Sequence, residues 1–155
     1  MTLFLVLTII LTAIDQISKY FALTLLKPVG NIIFIEGFMD FTFVENRGAA
    51  FGILHGARWF FLLATIVITV GIIYYVSKKM PKQKEYGYLK FSLMLIMAGA
   101  WGNAIDRLFR GYVVDYFEFT FFDWPVFNVA DIYVVCGAVL MALLVLFVIK
   151  DEKKE

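Results

Sequence analysis

Asn103, Asp106, Arg107, Asp115, Asn128 and Asp131 crowd into the stretch from Trp101 to Asp131 of a chain that is otherwise strongly apolar. Two of them, Asp115 and Asp131, could do chemistry as a pair. Carboxylates held close together cannot both ionise easily, so they share one proton and titrate as a unit. One can then take a proton from water while the other polarises a carbonyl, with no metal and no covalent nucleophile. Asn128 and Asp131 also have a simpler reading. Asn at a helix N-cap with an acid three residues on satisfies free N–H groups and suits the helix dipole. Spacing alone leaves both readings open.

Other polar residues repeat the theme. Asp15 and Lys19 stand at i and i+4 inside an apolar run, on one helical face, where they can pair. Charges in such segments mark function by default, although an ion pair joining helices would also explain them. Asn46-Arg47-Gly48-Ala49-Ala50-Phe51-Gly52 offers donors beside small residues that permit close backbone approach. It suits a peptide carbonyl or a lipid headgroup, or an ordinary turn before a helix. Asn103 and Arg107 are again i and i+4, with termination and snorkelling as the plain alternative. Asp106 lies about 100° around the helix from Arg107 and is expected to be a surface partner.

Rival chemistries fare worse. Ser18 is adjacent to Lys19 and so points elsewhere, while Ser77 and Ser92 border a lysine-rich loop. Cys136 and His55, single residues of their kinds, offer neither a disulfide framework nor zinc spacing and read as structural. No metal or cofactor is expected.

The elements that must position these groups are membrane helices. The hydrophobic share is 62%, against about 45–50% for soluble domains, and the mean hydropathy is +0.84. With 17 Phe, 8 Tyr and 3 Trp in 155 residues, a soluble fold would expose large apolar patches. A net charge of +1 with no basic stripe excludes nucleic acid as a partner. Four apolar segments, about Thr2–Leu26, Trp59–Val76, Tyr88–Leu108 and Ala130–Ile149, approach the ~20 residues that span a bilayer. The first lacks a positive n-region and holds Asp15 and Lys19, so it reads as a retained helix and not as a signal peptide. Lys78, Lys79, Lys82, Lys84 and Lys90 crowd one loop, and Lys150, Lys153 and Lys154 the tail. The positive-inside rule then puts both termini in the cytoplasm and the loops 27–58 and 109–129 outside. Those loops are aromatic and β-branched. Residues Met39–Phe43 alternate as a half-buried strand, Gly37 marks a turn, and Val113–Phe121 places Asp115 on a face with Phe117, Phe119 and Phe121. Burial there should raise the Asp115 pKa. The expected fold is therefore an all-α membrane protein, four transmembrane helices in a single domain over residues 1–155, with a small extracytoplasmic β-sheet.

With these motifs in order, the sequence resembles the lipoprotein signal peptidases, the type II signal peptidases of bacteria. The resemblance covers nearly the whole chain: Asp15-Gln16-Ile17-Ser18-Lys19, the segment Asn46–Gly52, Gly99-Ala100-Trp101-Gly102-Asn103-Ala104-Ile105-Asp106-Arg107, Val113-Val114-Asp115-Tyr116, and Phe127-Asn128-Val129-Ala130-Asp131. Any one is a weak signal; five in order are strong. The resemblance implies an aspartyl endopeptidase of the bacterial cytoplasmic membrane that cuts prolipoproteins just before a diacylglyceryl-modified cysteine and is inhibited by the cyclic peptide globomycin. It implies a catalytic pair, Asp115 and Asp131, near the outer leaflet. Asn46, Arg47, Gly48, Asn103, Arg107, Asn128 and Ala130 would shape the site and hold substrate, with Asp15 and Lys19 in support. Membrane lipids are the expected surroundings and a monomer the expected state. One departure is Ala100, where many members of the family have a second glycine. A loop closing over the substrate, Asn31–Arg58, is also expected. A proton-coupled transporter would show repeats and interrupted helices, and a membrane scaffold would not need two acids framed by two asparagines.

Overall fold

The computed structural model describes residues 1–48 and 53–149. Residues Ala49–Gly52 of the second motif and the tail lysines Lys150, Lys153 and Lys154 lie outside the described residues. Four helices carry the described residues. α1 runs Thr2–Phe21 and continues as a π-turn to Leu26; α2 is Arg58–Tyr74, extended likewise to Lys79; α3 is Glu85–Phe109; α4 is Val129–Leu143, extended to Val148. Three strands, β1 (Asn31–Ile35), β2 (Met39–Asn46) and β3 (Val113–Phe119), form an antiparallel sheet in that order. Gly37, with φ +70°, makes the β1–β2 turn that an L side chain would strain.

Three helices, Thr2–Leu26, Arg58–Lys79 and Val129–Val148, are long and apolar enough to cross a membrane. Their outward residues are bare hydrocarbon: Leu3, Ile9, Leu63, Val70, Leu146 and Phe147 are each more than 60% exposed, a pattern suited to lipid and untenable in water. The more polar α3 packs on each of the other three helices. That central place gives its Asn103, Asp106 and Arg107 protein partners. Small residues allow the close approach. A methyl group on Gly99 would collide with the Ala130 carbonyl oxygen and Val134, and one on Gly137 would lie 2.8 Å from both Ile96 Cγ1 and the Ser92 carbonyl. Helices so packed gain dispersion contacts that lipid cannot supply. Phe4, Ile72, Met94 and Met97 fill one core between α1, α2 and α3. Ala22, Leu26, Val114 and Tyr116 fill another, which seats the sheet on the end of α1.

β3 departs from simple alternation. Its first four residues, Val113 to Tyr116, are all buried, because α1 covers one face and the polar centre of the molecule the other. The strand ends at Phe119, two residues short of the expected Phe121. A bulge in β2 matters more. Phe41 pairs with Phe117, yet Val44 pairs with Asp115, so β2 gains one residue over β3. An added residue exchanges the two faces of a strand beyond it. Asn46 thereby shares the face of Asp115, while Glu45 turns to the opposite face and meets Lys27 at 3.0 Å.

Candidate active site

Asp115 and Asp131 both line one apolar cavity of about 720 Å³. Asn46, Asn103 and Arg107 share its wall, and the rest is largely hydrocarbon and aromatic: Phe61, Ala64, Ile68 and Val135 toward the helices, Phe119, Phe122, Trp124 and Phe127 toward the sheet. Three asparagines hold the two carboxyls. Asn46 Nδ2 donates to Asp115 Oδ2 at 2.8 Å, and Asn128 Nδ2 to Asp115 Oδ1 at 2.6 Å. Asn103 Nδ2 donates to Asp131 Oδ1 at 2.7 Å. Asn128 Nδ2 also donates to Asn103 Oδ1 at 3.2 Å, so one amide chain joins both acids. Asp115 is 2% exposed. Burial, and then the nearby charge of Asp131, push its pKa up to about 7 against the opposing hydrogen bonds of Asn46 and Asn128. The rise anticipated from its place on β3 is therefore present. Near neutral pH Asp115 can therefore hold a proton.

Asp131 serves the helix as well. Asn128 and Asp131 form a full capping box: Asn128 Oδ1 accepts from the Asp131 amide at 3.0 Å, and Asp131 Oδ2 accepts from the Asn128 amide at 3.1 Å. Cap and carboxyl pair are thus one arrangement, and the two readings of this motif do not exclude each other. The Ala130 amide finds its acceptor on another element, Asp15 Oδ1 at 2.8 Å, and Val129 packs against Tyr116. Tyr116 in turn donates to Ser18 Oγ at 2.6 Å.

Beneath the acids lies a dry ionic cluster. Lys19 Nζ reaches Asp15 Oδ2 at 3.0 Å, Asp106 Oδ2 at 3.2 Å and Asn103 Oδ1 at 2.9 Å, which uses all three of its protons. The three ionic side chains Asp15, Lys19 and Asp106 are fully buried. Asp106 is not the surface partner its helical angle suggested. It also accepts from the Val114 amide at 3.0 Å, from Gln16 Nε2 at 3.1 Å and from Arg110. Helical position gives direction but not what lies across from it, and here α1 and the start of β3 cover that face. Four donors around one carboxylate balance its desolvation and pin β3 to α3 immediately before Asp115.

Arg107 stacks on Phe61 at 4.3 Å and donates to the Gly48 carbonyl at 2.8 Å; the Gly48 amide donates to Asn46 Oδ1 at 2.9 Å. The segment after β2 is thereby clipped to α3 across the cavity mouth. Ala130 is fully buried, where a larger side chain would meet α3. Arg47 is the one expected site residue that does not join the others. It is exposed, bonded to Glu45 at 3.3 Å and set over Tyr112, outside the cavity wall. Ala100 and Cys136 line the cavity, and His55 sits in an exposed turn. Among the described residues no group of three or more His, Cys, Asp or Glu is placed to hold a metal ion. Gln16, Arg110 and Tyr116 were given no role in the site from the sequence. The i, i+4 spacing of Asp106 and Arg110 was an available signal; the partners of Gln16 and Tyr116, 86 to 98 residues away, were not.

Comparison with known proteins agrees with this architecture. The family model for signal peptidase (SPase) II matches residues 7–147. The lipoprotein signal peptidase of Caldanaerobacter subterraneus subsp. tengcongensis is 44% identical over 134 residues, 86% of this chain and 89% of that protein. That of Clostridioides difficile is 40% identical over 145 residues, 94% of this chain and 95% of that protein. A bacterial membrane enzyme solved by the in meso method at 2.3 Å resolution superposes with a TM-score of 0.84 at 32% identity, covering 100% of this chain and 95% of its own. With matches of this extent in both sequence and fold, the chain belongs to the signal peptidase (SPase) II family.

Proposed function

We propose that this protein is a lipoprotein signal peptidase, an aspartyl endopeptidase that removes the signal peptides of prolipoproteins by cutting before the diacylglyceryl-modified cysteine. The observation that carries the reading is the convergence of Asp115 and Asp131, through three asparagines, on one apolar cavity. Asp131 accepts a proton from the attacking water. Asp115, the carboxyl with the raised pKa, donates its proton to the scissile carbonyl oxygen. Collapse of the resulting gem-diol sends the Asp131 proton to the leaving amine and returns a hydroxyl proton to Asp115, so the pair ends as it began. Arg107 lies where it can orient the substrate backbone. Asn46, Asn103 and Asn128 hold the two acids, while Asp15, Lys19, Gly48 and Ala130 keep the elements beneath them in place.

All four helices span the bacterial cytoplasmic membrane in this reading, as a single domain with both termini inside and the site near the outer leaflet. The substrate's acyl chains stay among lipid, and each methylene buried contributes about 0.8 kcal/mol. The protein works as a monomer, globomycin competes for the cavity, and the loop 31–58 lies over bound substrate.

The test is cleavage of a diacylglyceryl-modified prolipoprotein by purified wild type, Asp115→Asn and Asp131→Asn, with chelator present throughout. The expected result is chelator-resistant activity in wild type and none in either folded variant. Near-normal turnover in either variant would remove that residue from the mechanism. An inactive wild type on a verified substrate would overturn the assignment.

A further inference from the structure

The two carboxyls belong to different elements, β3 and α4, so some contact must set their spacing. Backbone bonds do part of this: the Tyr116 and Phe117 amides donate to the Phe127 carbonyl at 3.0 and 2.8 Å, and the Phe127 amide donates back to Phe117 at 3.0 Å. They fix the chain as far as Phe127. Asp131 lies beyond, on the first turn of α4, and backbone pairing with β3 does not reach it.

Tyr116 follows Asp115, so its side chain leaves the opposite face of β3 and enters the packing between α1 and α4. It is 5% exposed. Its ring packs against Val129, the first residue of α4. Its hydroxyl donates to Ser18 Oγ at 2.6 Å, and Ser18 donates to the Asp15 carbonyl oxygen at 2.6 Å. One side chain therefore joins the strand carrying Asp115, the helix carrying Asp131, and α1. The ring is rigid, with only two torsions, and both are fixed by packing and by the bond at its tip. We propose that Tyr116 is a positioning residue that sets the separation of Asp115 and Asp131, with Ser18 as its anchor on the first helix.

This inference rests on the two-carboxylate reading above. Phenylalanine would fill the same space but leave Ser18 without the phenol, and the start of α4 would keep only its ties to Asp15, Asn103 and Asp115. The charged and polar groups facing Asp115 are Asn46 on β2, Asn128 and Asp131 at α4, Lys19 on α1 and Arg107 on α3. Those facing Tyr116 are Ser18 and Asp15 on α1 and Tyr133 on α4. None of them is altered by Tyr116→Phe, so a changed pH profile reports a changed spacing.

The experiment measures kcat, KM and the pH profile of prolipoprotein cleavage by full-length wild type, Tyr116→Phe, Ser18→Ala and the double variant, beside Asp115→Asn. Tyr116→Phe should lose about ten- to a hundredfold in kcat, the range expected for a small misplacement of catalytic groups, with KM within about twofold. As the acids separate, the basic limb of the profile should move down by roughly 0.5 pH unit or more. Ser18→Ala should shift the profile the same way, and the double variant should be no worse than Tyr116→Phe. Wild-type kcat in Tyr116→Phe, or a lower kcat with an unshifted profile, would overturn the proposal. Should Tyr116→Phe fail to fold, Ser18→Ala decides, because it keeps the ring and removes only its anchor; an unshifted profile there would overturn it too. Full activity in Asp115→Asn would instead bring down the two-carboxylate reading, and the tie with it.

Discussion

Gly102 offers a quantitative test of how tightly α1, α3 and α4 are locked beneath the carboxyls. A methyl group added there would lie 2.5 Å from Asp15 Oδ2 and 2.9 Å from Ala130 Cβ. Favourable carbon contacts begin near about 3.5 Å, so Gly102→Ala requires a displacement of roughly 1 Å. Neither neighbour can supply it cheaply. Asp15 is held by Lys19 at 3.0 Å and by the Ala130 amide at 2.8 Å, and a shift of that size takes both bonds beyond hydrogen-bonding range. Each bond to a charged group contributes about 1.5–3 kcal/mol, and overpacking adds about 1–3 kcal/mol. Gly102→Ala should therefore destabilise the protein by at least about 3 kcal/mol, a large part of a typical folding free energy. It should also reduce turnover, because Ala130 is the neighbour of Asp131. Gly71 and Gly87 are the internal controls: both lie in helices and neither has an atom within 4 Å of an added methyl. Alanine at those positions should hold or raise the unfolding midpoint, since it is the better helix former by about 1 kcal/mol. The measurement is the thermal unfolding midpoint in one detergent, with activity in parallel. A Gly102→Ala midpoint equal to those of the controls would refute the close packing.

Two further predictions address the site itself. Because Asp115 in the folded protein titrates near 7 and its ordinary value is 3.8, the folded state holds a proton that the unfolded state releases between those values. Its contribution to stability is thus present below about pH 4 and lost as pH rises toward 7. The unfolding midpoint of wild type should show this fall between about pH 4 and 7 and that of Asp115→Asn should not, and turnover should decline above about pH 7; matching midpoint profiles would refute the assignment. Arg107→Lys keeps the charge but loses the planar stack on Phe61 and the fixed donor to Gly48. It should lower kcat/KM about tenfold, or about 1.4 kcal/mol, at a nearly unchanged midpoint, and wild-type kcat/KM would count against a substrate-orienting role.

Much of this was legible in the sequence for identifiable reasons. Apolar runs interrupted by lysine-rich or aromatic segments mark helices because lipid tolerates little else. Asp115 and Asp131 stood out because carboxylates are costly in such surroundings. The Asn128–Asp131 cap followed from local spacing. What escaped depends on contacts between distant segments. Asp106 was assigned to the surface because a helical wheel does not reveal that Lys19, Gln16 and Val114 cover it. The pairing of Asn46 with Asp115 depends on a bulge between Phe41 and Val44; the unbulged alternation would have put Glu45 there. Arg47 looked equivalent to its neighbour Asn46, yet the same strand end turns one inward and leaves the other in solvent.

The first turn of α4 draws a hydrogen-bond acceptor from α1 as well as from its own cap. Viewed along synthesis, this imposes an order. That acceptor belongs to a segment made earlier, and α4 follows it in the chain, so the acid α4 carries reaches its place only when that helix docks. Until then Asp115 lacks its partner and the Ala130 amide lacks its acceptor. On the proposed mechanism, completion of the fold and the onset of hydrolytic competence are one event, and a half-assembled chain holds no cutting centre.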